Sequence, residues 1–176
     1  MRQSSVVLMA RVVNETKLPT PVVDIGGRGY KDMWKSLGNI NAKIMDIQKD
    51  ADIVADITNM PQVKSDSIGS IICLDTFEHV TKPWLAIDEI YRIMKPDGIL
   101  VLDVPFIWDY HKHEEDYYRY TPMGLEVLCE KFKKLESGWM DETSPIGVEY
   151  KLYEDGGRFM NLPLPRSCSY FIGKKG

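Results

Sequence analysis

The sequence predicts an α/β domain built on a mainly parallel β-sheet, and three observations lead to this expectation. Short runs rich in β-branched residues recur along the chain, separated by helical or loop segments, which is the order typical of parallel sheets. One run, "DSIGSIICLD" at 66–75, is almost continuously apolar, as in a strand buried on both faces. A chain of 176 residues, 44% of them apolar, is long enough for one core.

Five strands and two helices are predicted before the tail of the chain. The predicted strands are 20–25, 42–47, 51–57, 66–75 and 99–106. A helix is predicted over 81–94, with Thr81 as N-cap, Pro83 in its first turn and "KPDG" as its stop. A second helix is predicted from 121 onward, capped by Thr121. The aromatic runs "VEYKLY" and "CSYFIG" are predicted to form a further pair of antiparallel strands.

The composition excludes several classes of protein. The net charge of −4 argues against a nucleic-acid partner, and no apolar stretch approaches the roughly 18–20 residues that cross a membrane. The N-terminal apolar run is interrupted by Arg11 and lacks a cleavage site, so we expect a cytoplasmic protein and not a secreted one. The cysteines at 73, 129 and 168 are far apart in sequence, which favours reduced, buried thiols over disulfides or a zinc site.

The stretch "VVDIGGRGY" at 22–30 is the first candidate for a binding site. A glycine cluster directly after a strand permits a sharp turn and a close approach of the backbone to a ligand. A helix beginning near Tyr30 directs free N–H groups at an anion. The alternative is a turn that only connects a strand to a helix. The spacing is not G-x-G-x-x-G, which argues against a nicotinamide-dependent oxidoreductase.

Two aspartates close the next two predicted strands. Asp46 follows Asp24 by 22 positions, where a carboxylate suits a ribose diol. Asp56 closes the third strand, where it is suited to accept a hydrogen bond from an adenine amino group. Taken singly, each is as well explained as a solvated residue at a strand end or turn.

The segments together resemble the class I S-adenosylmethionine-dependent methyltransferases, most closely the methyltransferase type 11 group. The resemblance extends from about residue 21 to 132 and is carried by "VVDIGGRGY", "IMDI", "DIVADITNMP", "CLDTFEHV", "EIYRIMKPDGILVLDVP" and "DYYRYT". It implies a Rossmann-like three-layer sandwich with a mostly parallel seven-stranded sheet and a C-terminal antiparallel hairpin, here as a single domain over 1–176.

The resemblance also implies a cofactor, S-adenosyl-L-methionine, and a set of residues that bind it. The methionine end is assigned to the glycine turn, the ribose to the end of the second strand, the adenine to the end of the third, and the underside of the cofactor to the end of the fourth. The assigned residues, in that order, are Asp24, Gly26, Gly27 and Gly29; Asp46; Asp56 and Ile57; Leu74 and Asp75.

The stretch "VPFIWDYHKHEEDYYRYT" after the fifth strand matches the family pattern at the mouth of the site. His111 is the candidate base for a hydroxyl acceptor, with Asp116 orienting it or holding the substrate. Tyr117 and Arg119 are the candidate substrate-binding residues, although a structural ion pair between Arg119 and Asp116 is an equal alternative. A metal site is set aside, because adjacent residues rarely converge on one ion. For His79 we favour a structural role over one in the pocket.

One departure from the family turn matters, because Arg28 and Tyr30 stand where two motif glycines are expected. Arg28 has three options: pointing outward, reaching the cofactor carboxylate, or narrowing the pocket and abolishing binding. We therefore expect methyl transfer to a small molecule, with oxygen as the favoured acceptor, and keep a non-catalytic binding or scaffold protein as the alternative. The chain leaves little room for a substrate domain. Either the loop after the fifth strand and the short N-terminal segment build the pocket, or a second subunit of a homodimer helps to complete it.

Overall fold

The structure, a computed structural model, describes residues 3–38, 40–108, 115–140, 151–153, 159–161 and 168–176. Its helices are α1 (Gln3–Glu15), α2 (Lys31–Ser36), α3 (Pro83–Ile93) and α4 (Pro122–Leu128), with short 3-10 helices at Gly27–Tyr30 and Phe77–His79. Its strands are β1 (Val22–Ile25), β2 (Ala42–Asp46), β3 (Ile53–Val54), β4 (Ile68–Leu74), β5 (Met94–Pro105), β6 (Lys133–Met140), β7 (Lys151–Tyr153), β8 (Phe159–Asn161) and β9 (Cys168–Lys174).

Seven strands form one sheet in the order β3-β2-β1-β4-β5-β9-β6. The first five pair in parallel, while β9 pairs antiparallel with both β5 and β6. β7 and β8 form a separate antiparallel pair. The expected mostly parallel seven-stranded sheet with antiparallel C-terminal strands is confirmed. The carboxyl ends of β1 to β5 therefore lie along one edge, where ligands bind in open α/β sheets.

Helices cover both faces of the sheet, which gives three layers. Alternate residues of β4 point to opposite faces: Ile71 and Cys73 pack with α3 and α4, whereas Ile72 and Leu74 pack with α1 and α2. The three free cysteines are buried, as expected.

Several elements differ from the predictions. The run 3–15 forms α1, which was not predicted because its β-branched residues do not favour a helix; burial of Leu8, Met9 and Val12 against the sheet stabilises it. The strand predicted at 51–57 is reduced to two residues at the sheet edge. Thr81 does not cap α3, whose N-cap is Lys82, whereas Thr121 caps α4 by accepting from the Gly124 amide.

The pairing predicted for the tail was also wrong. "CSYFIG" does form β9, but its antiparallel partners are β5 and β6. "VEYKLY" contributes β7, whose partner is β8. Both runs have the composition of strands, yet the choice of partner depends on contacts distant in sequence, which local patterns do not encode.

Arg92 of α3 fixes the connection between β3 and β4. Its guanidinium donates to the carbonyls of Met60 and Val63 at 2.8 and 2.9 Å and pairs with Glu89. Glu89 in turn accepts from the Met60 amide at 2.6 Å. Since Met60 is fully buried, this pair satisfies backbone groups that water does not reach.

We expect Arg92→Ala to lower the free energy of unfolding by about 2–3 kcal/mol, because it leaves the two carbonyls without their donor and the Glu89 carboxylate without its positively charged partner. Urea denaturation measures this. Asp88→Ala on the same helix is the control, since Asp88 forms a half-exposed pair with Lys131 and should cost less than about 1 kcal/mol. Equal losses for the two variants would contradict the interpretation.

Candidate active site

A cavity of about 610 Å³ lies at the carboxyl ends of β1 to β4. Its volume falls within the roughly 300–1,000 Å³ typical of small-molecule sites. The lining comes from the ends of these strands, from the segment after β4 and from Glu115, which precedes α4. The lining residues are Ile25, Gly26, Arg28, Asp46, Ile47, Gln48, Ala55, Asp56, Ile57, Thr58, Asp75, Thr76, His79, Val80, Thr81 and Glu115.

The backbone of the glycine turn that follows β1 lies close to two neighbouring side chains, Thr76 and Asp24. Gly26 has a φ of +77°, and a Cβ there would lie 2.3 Å from Thr76 Oγ1 at the end of β4. A Cβ on Gly27 would lie 2.1 Å from the carboxylate carbon of Asp24. Both positions therefore require glycine, the first for its conformation and both for space.

Asp24 lies beneath this turn and not on the cavity wall. Its side chain is fully buried, and Oδ2 accepts from Trp34 Nε1 of α2 at 2.7 Å. Oδ1 has no hydrogen-bond partner among the described residues. Burial raises the pKa of Asp24 to about 7, and the Trp34 hydrogen bond partly opposes that rise.

Arg28 does not fill the cavity. The residues Gly27–Tyr30 form a 3-10 turn, and α2 begins at Lys31, so the helix expected near Tyr30 is present. The Arg28 guanidinium donates to Asp50 at 2.8 Å, in the loop after β2. Of the three options that the sequence left open for Arg28, the structure supports the first in part: Arg28 lines the cavity, and its guanidinium pairs with Asp50, which is not a lining residue.

The two aspartates predicted for the nucleoside both line the cavity. Asp46 ends β2, and its Oδ1 accepts from the Gln48 amide at 3.0 Å. Asp56 follows β3, and its Oδ1 accepts from the amide and hydroxyl of Thr58 at 2.8 and 2.7 Å. These short turns fix each carboxylate through one oxygen. The second oxygen of each accepts no hydrogen bond from the described part of the chain.

The two residues predicted for the site at the end of β4, Leu74 and Asp75, lie in different environments. Asp75 lines the cavity with a φ of +50°, and its amide donates to Asp103 Oδ1 at 3.1 Å. Ser5 at the start of α1 donates to Asp75 Oδ2 at 3.5 Å. Leu74, by contrast, is buried in the core on the α1 face and does not line the cavity. Ile57 lines it, as predicted.

The segments that follow β4 and β5 are joined by hydrogen bonds to the backbone. The amides of Tyr117 and Tyr118 donate to the Glu78 carbonyl at 2.7 and 3.2 Å. His79 Nδ1 lies 2.8 Å from the Glu115 carbonyl and must carry the proton, since a carbonyl only accepts. His79 thus braces the 115–119 segment while lining the cavity. Sequence analysis favoured bracing but did not identify this partner.

Two residues proposed for chemistry pair with each other. The Arg119 guanidinium donates to both carboxylate oxygens of Asp116, one of them at 2.6 Å, and Asp116 is almost fully buried. The pair raises the pKa of Arg119. Neither residue nor Tyr117 lines the cavity. His111 lies outside the described residues.

The lining residues that were not assigned to the site from the sequence include Gln48, Thr76, His79 and Glu115. Their common signal is position, since the first three come within five residues of a strand end at the binding edge. Glu115 reaches the cavity through its contact with His79, which no local pattern indicates.

Comparison with known proteins shows which proteins this chain resembles. Residues 35–102 match the family model described as "Methyltransferase domain". A chain of the complex between the Haloferax volcanii Trm112 methyltransferase activator and a methyltransferase is 16% identical, with a TM-score of 0.72, and the alignment covers 98% of this chain and 89% of that one. For an S-adenosylmethionine-dependent methyltransferase from Archaeoglobus fulgidus the identity is 15%, the TM-score 0.71, and the coverage 98% and 95%. No curated protein matches significantly.

The solved structures show a shared fold, and the family match adds the methyltransferase domain, so the resemblance stated from the sequence is confirmed. Residues 35–102 thus match a methyltransferase domain, and the cofactor that this match and the similar structures imply is S-adenosylmethionine. The cavity, the glycine turn and the two fixed carboxylates fit this cofactor.

Membrane-spanning helices and clusters of metal-ligating side chains are both absent from the residues that the structure describes. None of their helices has the length and apolar character to span a membrane. No group of three or more metal-ligating side chains occurs among them; His111, His113 and Glu114 fall outside this part of the chain.

The buried carboxylate of Asp24 predicts a pH-dependent stability. Between about pH 4 and 7 the folded chain retains a proton that the unfolded chain has released, so the free energy of unfolding falls as the pH rises. We expect Asp24→Asn to match the wild type near pH 4 and to exceed it at pH 8 by about 4 kcal/mol at most.

Urea denaturation at pH 4, 6 and 8 measures this difference. Asp32→Asn is the control, since Asp32 is exposed on α2, where it pairs with Lys35 at the surface. A gap between Asp24→Asn and the wild type that stays constant across these pH values would refute the explanation.

Proposed function

We propose that this enzyme transfers the methyl group of S-adenosylmethionine to an oxygen atom of a small-molecule acceptor, as a single-domain cytoplasmic protein. The observation that carries the proposal is the cavity at the carboxyl ends of β1 to β4, with Asp46 and Asp56 on its wall. Its volume suits a nucleoside cofactor, and the net charge of −4 argues against a nucleic acid as substrate. A homodimer is the alternative if a second subunit is needed to complete the acceptor site.

In this proposal each part of the cavity holds one part of the cofactor. Asp46 accepts from the ribose hydroxyls through the oxygen that its turn leaves available, and Asp56 with the Ile57 backbone holds the adenine. The backbone of Gly26, Gly27 and Gly29 approaches the methionine end. Asp24 acts from beneath Gly27, where its charge is felt by the ammonium and sulfonium groups without direct contact.

The acceptor is proposed to lie beyond the methionine end, toward the loop after β5. When bound, the cofactor supplies a methyl group activated by a sulfonium, so the protein must align the acceptor and remove its proton. His111 remains our candidate for the base. Because Asp116 and Arg119 hold each other, we propose that they shape this loop and that Tyr117, 45% exposed beside them, contacts the substrate.

The non-catalytic alternative rested on Arg28 and Tyr30. The Arg28 side chain pairs with Asp50 and leaves the cavity open, which supports cofactor use. A scaffold protein would have no need of an open cavity with two carboxylates held in place at its wall.

Calorimetry with S-adenosylhomocysteine tests the cofactor site. We expect the wild type to bind it, and Asp46→Ala to weaken binding by about 10-fold to 100-fold through loss of charge-assisted hydrogen bonds. The exposed Asp32→Ala variant is the matched control and should bind as the wild type does. Absence of heat with the wild type at high micromolar ligand would favour the scaffold alternative.

The base is tested once a panel of hydroxyl and amine acceptors has given a turnover signal. His111→Ala is expected to lower kcat at least about 100-fold, while affinity for S-adenosylhomocysteine stays within about threefold. His113→Ala, two positions away, is the control and should retain activity. If His111→Ala keeps the wild-type rate, or if only amines are methylated, the assignment of oxygen chemistry to this histidine is wrong.

A further inference from the structure

We propose that Arg28 and Asp50 form an ion-pair strap over the ribose side of the cavity, and that this strap slows release of the cofactor. The inference rests on the cofactor site and does not depend on the acceptor. It assigns a role to the residue by which this chain departs from the glycine-rich family turn.

The position of the pair follows from two neighbouring strands. β1 and β2 are parallel, with Ile25 opposite Met45, and the Gly26 amide donates to the Met45 carbonyl at 2.9 Å. Arg28 comes two residues after that contact, and Asp50 comes four residues after the end of β2. Their ion pair of 2.8 Å therefore makes a second connection between the strand ends, farther from the sheet than the first.

The segments that the pair connects both line the cavity. Arg28 is a lining residue of the turn after β1, and Asp46, Ile47 and Gln48 line it from the loop that leads to Asp50. Asp46 is the residue proposed to hold the ribose. A link between Arg28 and Asp50 thus bounds the cavity on the side where the sugar lies.

The charges of the lining residues explain why the Arg28 guanidinium lies at the rim of the cavity. Arg28 is the one arginine or lysine among the lining residues of the described cavity, which also include Asp46, Asp56, Asp75 and Glu115. A guanidinium turned inward would compete with the ribose for Asp46. Pairing with Asp50 keeps the Arg28 charge at the mouth.

The exposure of the pair suits a strap that opens. The side chains of Arg28 and Asp50 are 46% and 68% exposed, and such surface pairs contribute about 0–1 kcal/mol. The strap can therefore break often enough to admit the cofactor. Salt screens an exposed pair, so the strap should weaken as ionic strength rises.

The experiment measures the dissociation rate of S-adenosylhomocysteine by stopped-flow displacement. We expect Arg28→Ala and Asp50→Ala each to raise this rate about threefold to fivefold, and the double variant to raise it no further. Arg28→Lys should retain part of the effect. Raising NaCl from about 50 to 500 mM should speed release from the wild type but not from Arg28→Ala.

Lys35→Ala, which breaks the exposed pair with Asp32 on α2, is the matched control and should leave the rate unchanged. Thermal unfolding of all variants should stay within about 4 °C of the wild type, the most that loss of a surface pair explains in a chain of this size, which separates the strap from a folding effect. Slower release from Arg28→Ala, additive effects of the two substitutions, or identical salt dependence in both proteins would overturn the proposal. A wild type that does not bind S-adenosylhomocysteine would remove the cofactor site itself.

Discussion

The buried carboxylate of Asp24 is the constraint on which the binding edge depends. The group lies in the middle strand of the parallel part of the sheet, where ionisation is costly, and Trp34 is the donor that compensates it. The same carboxylate occupies the space where a Cβ of Gly27 would lie, so it determines the sequence of the turn above it. Through these two contacts, one side chain fixes α2 and the glycine turn relative to β1.

A second constraint joins the segments after β4 and β5. The Glu78 carbonyl accepts from two successive amides, and His79 holds the Glu115 carbonyl. In each of these hydrogen bonds at least one of the two partners is a backbone group, so the bonds depend on the path of the chain more than on side-chain identity. The Asp116–Arg119 pair then stabilises the 115–119 segment internally. The "EHV" and "DYYRYT" motifs are thus largely explained by the hydrogen bonds that join their two segments.

Local signals were sufficient for the elements that are proposed to hold the nucleoside part of the cofactor. Strand runs that end in aspartate predicted Asp46 and Asp56 at one edge, the family resemblance added Asp75, and all three line the cavity. The proline and threonine at the start of α4 predicted its cap. Signals of this kind act over a few residues, and the parallel order of the strands then brings their ends together.

What the sequence did not predict depends on contacts between distant segments. α1 is helical because the sheet buries its apolar face, and β9 inserts between β5 and β6 although neither is its neighbour in sequence. The same reason applies to one residue predicted for the site. Asp116 has the residue type of a catalytic group, but its side chain is buried and paired with Arg119, so we assign it a structural role.

The charges on the cavity wall account for the kind of ligand that the fold accepts. Four carboxylates line it against one guanidinium, and that guanidinium is already paired with Asp50 at the rim. A ligand with a net positive charge gains from this arrangement, whereas a dinucleotide with its pyrophosphate would meet repulsion. S-adenosylmethionine has a sulfonium and an ammonium against one carboxylate. In the proposed binding mode, the electrostatics of the strand ends, and not the glycine turn alone, distinguish this cofactor from nucleotides that carry a pyrophosphate.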